Sequence, residues 1–149
     1  MDKQSQILID QSQLRMLADD YAKGADRRDK ELWIKVLSED CTMEGPGFHH
    51  ENREQCLTSI DQLAAMFVTT RHNVLNQTVS ISGDNAAGET YCIADHLMER
   101  DGKREILSWH IRYQDEWRRM GDGWQYTKRK LILDWEETRL VNQGNIMEK

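Results

Sequence analysis

The run Ala86–Arg118, AAGETYCIADHLMERDGKREILSWHIRYQDEWR, decides the fold. Asp101-Gly102 lies between two long extended stretches, 86–99 and 106–118, which is the signature of a β-hairpin. Upstream, residues 71–81 (RHNVLNQTVSI) are rich in β-branched types and run into the turn Ser82-Gly83-Asp84-Asn85. Downstream, Gly121-Asp122-Gly123 separates that hairpin from a last strand, Trp124–Trp135. The second half is therefore a strand meander.

The first half reads as helix. Leu14, Leu17, Ala18, Tyr21, Ala22 and Ala25 form one stripe at three- and four-residue spacing, which predicts an amphipathic helix over about 11–25. Asp29 is placed to N-cap a short second helix carrying Leu32, Trp33, Val36 and Leu37. After Cys41–Glu44, Gly45-Pro46-Gly47 holds the only proline and marks a loop. A third helix is expected beyond it, with Cys56, Ile60, Leu63, Ala64 and Phe67 on its buried side. Helices first and a meander afterwards is the α+β pattern. It implies a curved antiparallel sheet with the helices over one face, and a hollow between them suited to a small molecule.

The 149 residues fit one domain, expected to span 1–149 with its core over about 11–135. An apolar fraction of 38%, with five Trp, four Tyr and two Phe, is enough to build a core. A net charge of -6 argues against nucleic-acid backbone binding, which needs clustered cations. No apolar run approaches the length of a membrane helix, and MDKQSQILID lacks the pattern of a signal peptide. Cys41, Cys56 and Cys92 are odd in number without CxxC spacing, as expected of reduced thiols in a cytoplasmic protein. His49-His50 follows the glycine loop and is expected to be exposed. The histidines show neither HxH nor HExxH spacing, so no metal is expected. There is no GxGxxG, Walker or GxSxG sequence, so no nucleotide cofactor or serine nucleophile is expected either. The cluster Arg118-Arg119 with Lys128-Arg129-Lys130 reads as ion pairing with Asp115, Glu116 and Asp134.

Particular residues carry a resemblance. Tyr21-Ala-Lys-Gly-Ala-Asp26-Arg-Arg-Asp29 resembles the end of the first helix in SnoaL-like proteins of the nuclear transport factor 2-like superfamily. Thr70-Arg-His72-Asn-Val-Leu-Asn76 with Ser82-Gly-Asp84-Asn-Ala86 is similar to the following strand and turn, and Arg112-Tyr-Gln-Asp115, Gly123-Trp124 and Lys128-Arg129 match further on. The resemblance covers about 11–135. It implies a cone-shaped, cystatin-like α+β barrel whose sheet is antiparallel or mixed. Members include dehydratases, isomerases, dehydrochlorinases and non-catalytic binding domains.

Within that superfamily, hexachlorocyclohexane dehydrochlorinase and bile-acid dehydratase use an Asp–His dyad. The resemblance implies that His72 abstracts a carbon-bound proton while Asp26 fixes and stabilises its imidazole. It assigns Arg129 to developing anionic charge. Tyr21 stands where the dehydrochlorinase has a functional lysine and agrees with bile-acid dehydratase, which favours loss of water or isomerisation over loss of halide. Asp95, His110 and Trp33 are the candidate substrate-binding positions. The residues alone leave other readings open. Asp26 also suits a turn cap, His72 a structural histidine, Asp95 and Arg129 ion pairs on the sheet, Tyr21 and the tryptophans plain packing. The expected function is a cofactor-free lyase or isomerase acting on a small, apolar, cyclic substrate. The alternative is a non-catalytic ligand-binding or assembly domain, as in dioxygenase small subunits. Apolar residues on the sheet face turned away from the helices point to a homodimer, with a trimer left open.

Overall fold

The computed structural model describes residues 1–142. Three helices, α1 (Lys3–Asp26), α2 (Lys30–Val36) and α3 (Arg53–Met66), pack on a six-stranded sheet. Its strands are β1 (Leu37–Gly45), β2 (Phe48–His50), β3 (Thr69–Ser82), β4 (Asn85–Arg100), β5 (Lys103–Met120) and β6 (Gly123–Leu140). The order across the sheet is β2-β1-β6-β5-β4-β3, with β1 parallel to β6 and every other pair antiparallel. The fold is α+β with a curved sheet left unclosed, β2 and β3 being its edges among the described residues.

Alternation on the strands sets the inner face. Cys92, Ala94 and His96 of β4 oppose Ile111, Trp109 and Leu107 of β5, and Tyr113 and Asp115 oppose Leu131 and Arg129 of β6. The buried stripe of α1, Leu14, Ala18, Tyr21 and Ala25, belongs to the same core as Trp33, Trp117, Trp124 and Tyr126. Asp10 fastens the amino-terminal half of α1. It accepts from Arg119 at 2.8 and 3.0 Å and from the Trp124 indole at 3.0 Å.

Four features differ from the sequence reading. Helix α1 starts eight residues early, capped by Asp2, whose side chain accepts from the Ser5 N–H. Its added turns show no stripe because Ile7, Leu8 and Ile9 are exposed there. Leu37–Gly45 is strand rather than helix end and loop. Leu37, Cys41 and Met43 are buried while Glu39 and Asp40 are exposed, and Gly45-Pro46-Gly47 turns it into β2. Ala64 is exposed, since α3 buries Cys56 and Ile60 and its last turn projects over a cavity mouth. His50 is buried, with Nε2 3.0 Å from the Ser59 hydroxyl; only His49 is exposed.

Candidate active site

Asp26 is the last residue of α1, and that helix ends against β3. Its carboxylate accepts from three groups of one strand. The His72 backbone N–H lies 2.8 Å from Oδ2, the Thr70 hydroxyl 3.0 Å from Oδ1, and His72 Nδ1 2.6 Å from Oδ1. Period two brings Thr70 and His72 to the same face of β3, so both reach one carboxylate. The Asp26 side chain is 22% exposed and that of His72 8%. Burial opposes the Asp26 charge, but the donors from His72 and Thr70 outweigh it and hold the carboxyl below the usual carboxylate range. An ionised carboxylate only accepts, so Nδ1 carries the proton and Nε2 of the neutral ring is a free base.

His72 lines a cavity of about 510 Å³. Tyr21, Trp33, Phe67, Trp109, Tyr113 and Leu131 supply much of its wall, and among the described residues no Lys or Arg lines it. Tyr21 and Trp33 are stacked, ring centroids 4.4 Å apart, and the Trp33 indole N–H donates to the Tyr21 carbonyl at 2.9 Å. Gly24 allows this, because a Cβ there would lie 2.4 Å from Trp33 Cδ1. Burial pushes the Tyr21 phenol well up, so it stays a donor.

Sequence reasoning overlooked His96. It lines the cavity opposite Thr70, its ring 6.2 Å from that of His72. Nδ1 lies 2.9 Å from the Leu107 carbonyl, which makes Nδ1 the donor and leaves Nε2 to accept. Burial, with a contribution from His72, lowers its pKa. The signal was strand phase: His96 pairs with Thr70, two residues before His72, and so shares its face.

Three expected site residues lie elsewhere. Asp95 is out of phase with the cavity. It accepts from the Ser108 hydroxyl and pairs with Arg139 on the outer face. His110 is on that face too, stacked on Trp135 with ring centroids 4.9 Å apart. Arg129 is inward but does not line the cavity. It is 2% exposed, binds Asp115 at 2.8 and 3.1 Å, and lies 3.7–4.5 Å from the rings of Tyr113, Tyr21 and Tyr126. The Tyr21 and Tyr113 rings that do line the cavity cover its guanidinium. The rest of the basic cluster pairs differently from expectation: Arg118 with Asp40, and Arg119 with Asp10 and Asp84, while Asp134 takes Arg112.

An open α+β fold with a cavity between the helices and the curved sheet is that of the nuclear transport factor 2-like class. Residues 6–130 match the SnoaL-like domain, and the chain belongs to that family. A protein from Kribbella flavida superposes with a TM-score of 0.80 at 21% identity, over 88% of this chain and 95% of its own. A candidate scytalone dehydratase from Novosphingobium aromaticivorans gives 0.81 at 18% identity, over 98% of both chains. The type-3 hexachlorocyclohexane dehydrochlorinase LinA of Novosphingobium barchaimii gives 0.77 at 14%, over 95% and 97%. At these identities the likeness is one of fold. Among curated protein sequences none matches the chain. No helix among the described residues is long and apolar enough to cross a membrane.

Proposed function

We propose that the protein is a cofactor-free lyase of dehydratase type, in which His72 removes a carbon-bound proton from a small neutral cyclic substrate. The observation that carries this reading is the 2.6 Å contact between His72 Nδ1 and Asp26, which leaves Nε2 as the base on an apolar cavity. In the step, Nε2 takes the proton and the C–H electron pair becomes the new double bond. The hydroxyl leaves with its own pair and that proton, as water. Asp26 stabilises the imidazolium in between, and a base so placed contributes about 10²–10⁴-fold. The Tyr21 phenol donates to the departing or developing oxygen, and Trp33 keeps that ring in place. His96 Nε2 offers an acceptor to a substrate hydroxyl. With no Lys or Arg among the described residues of the lining, an anionic substrate finds no counter-charge from them.

The chain is read as one domain that pairs with a second copy through its outer sheet face. Trp135 is 62% exposed there and Leu75 42%, and apolar surface of that kind calls for cover. A homodimer burying more than about 1,000 Å² fits it best, a trimer being the other closed arrangement.

Thermal-shift screening of cyclic alcohols and enones selects a ligand, and NMR in D₂O then follows exchange at its acidic carbon. Exchange lost in His72→Ala is the expected result. Exchange undiminished in that variant overturns the dyad and leaves a binding domain.

A further inference from the structure

Beside the dyad lies a cation outside the cavity lining. Arg28 follows the last turn of α1 with φ at 56°, a left-handed conformation uncommon for a residue other than glycine. Strain of this kind persists only where surrounding contacts hold it. Here the guanidinium donates to the Thr70 hydroxyl at 2.8 Å, to the Ala25 carbonyl, and to the Leu63 carbonyl of α3 at 3.4 Å. It thereby ties α1, α3 and β3 together at the edge of the site.

The polarity of these bonds is forced. A guanidinium has donors and no acceptor, so Thr70 Oγ1 accepts from Arg28. Thr70 has a single hydroxyl proton, and its other partner is Asp26 Oδ1 at 3.0 Å. That oxygen then receives Thr70 and His72 Nδ1, while Oδ2 receives the His72 backbone N–H. Without Arg28 the hydroxyl is free to rotate away and leave Asp26 short of a donor.

We infer that Arg28 is a positioning residue, which by donating to the Thr70 hydroxyl directs that hydroxyl's proton to Asp26 Oδ1 and so holds the carboxylate in register with the His72 ring. The inference rests on the proposed dyad. Burial works against the Arg28 charge and the nearby Asp26 carboxylate supports it. Asp26 from α1 contacts the His72 ring, His96 of β4 lies beside it, and Arg28 reaches the pair through Thr70.

The test is ¹⁵N NMR of the histidine rings in the whole chain, which reads the tautomer without substrate. Arg28→Met and Thr70→Val should each mix the His72 tautomers, as a less restrained carboxylate turns away from Nδ1. Thr70→Ser, which keeps the hydroxyl, should keep the parent's tautomer, and so should Arg28→Gln, which keeps a donor to that hydroxyl. A folded Arg28→Met or Thr70→Val protein with the parent's tautomer overturns the inference. Failure of the lyase reading would appear separately, as deuterium exchange that ignores His72, and would leave these ring shifts as they are.

Discussion

His72 grips Asp26 twice, through its backbone N–H to Oδ2 and through its ring to Oδ1, so one carboxylate sets both the place and the orientation of the imidazole. Asp26→Asn keeps the shape and loses the arrangement. An amide presents one acceptor oxygen and an NH₂ that must face a donor. Turnover of an identified substrate should fall about 10²–10⁴-fold, as should that of His72→Ala, with the fold retained by circular dichroism. An Asp26→Asn protein as active as the parent would contradict the dyad.

Gly24→Ala tests the cavity wall. The added methyl collides with the buried Trp33 ring, which is already stacked on Tyr21. Overpacking of this kind costs about 1–3 kcal/mol, and better helix propensity returns about 1. Chemical denaturation should show a net loss, and any ligand found by thermal shift should bind more weakly as Tyr21 is displaced.

Acid stability should depend on Asp10. Hydrogen bonds from Arg119, set against burial, lower its pKa to about 2, with Trp124 and Gln6 adding to the effect. The native value is below that of the unfolded chain, near 3.9. Its contribution is therefore present above about pH 4 and lost as pH falls through 2, and amounts to about 1–2 kcal/mol. Asp10→Asn should lower stability at pH 7 and flatten the pH dependence between about 4 and 2 in urea titrations.

His96 has its own pH window. Burial first, then His72, depresses its pKa, so the folded chain prefers its neutral ring. Stability from that preference is full above the unfolded value of about 6.5 and declines as pH falls below it. In His96→Asn this decline should disappear between about pH 6.5 and 5. A parent slope unchanged by the substitution would count against a buried neutral ring.

Pairing through the outer face predicts that Trp135→Glu shifts the mass by light scattering to that of one chain at micromolar concentration. A parent that already scatters as a monomer would refute it.

The strands of the second half were legible because each turn carries glycine between β-rich runs, and Gly83, Gly102 and Gly121 all adopt positive φ. Strand β1 was not. Its apolar residues, Leu37, Cys41 and Met43, are too sparse for a clean alternation, and its parallel partner β6 is about 85 residues away. The Asp26–His72 contact also spans 46 residues, yet resemblance pointed to both residues. Resemblance could not set the phase of β4 and β5, and a shift of one position puts a side chain on the other face. That is why Asp95 and His110 were expected where Ala94, His96 and Trp109 stand. Arg129 failed for another reason. Being inward is not the same as reaching the cavity when tyrosine rings lie between.

The ion pair of Arg129 and Asp115, supported by Thr90 and behind it Gln77, constrains how this chain can change over generations. Losing either partner strands a charge in the interior at a cost of about 3–5 kcal/mol, a large share of a typical domain's entire stability. Losing both together, for apolar residues of matching volume, carries no such toll. A change at one of these positions is therefore tolerated far better when the other changes with it.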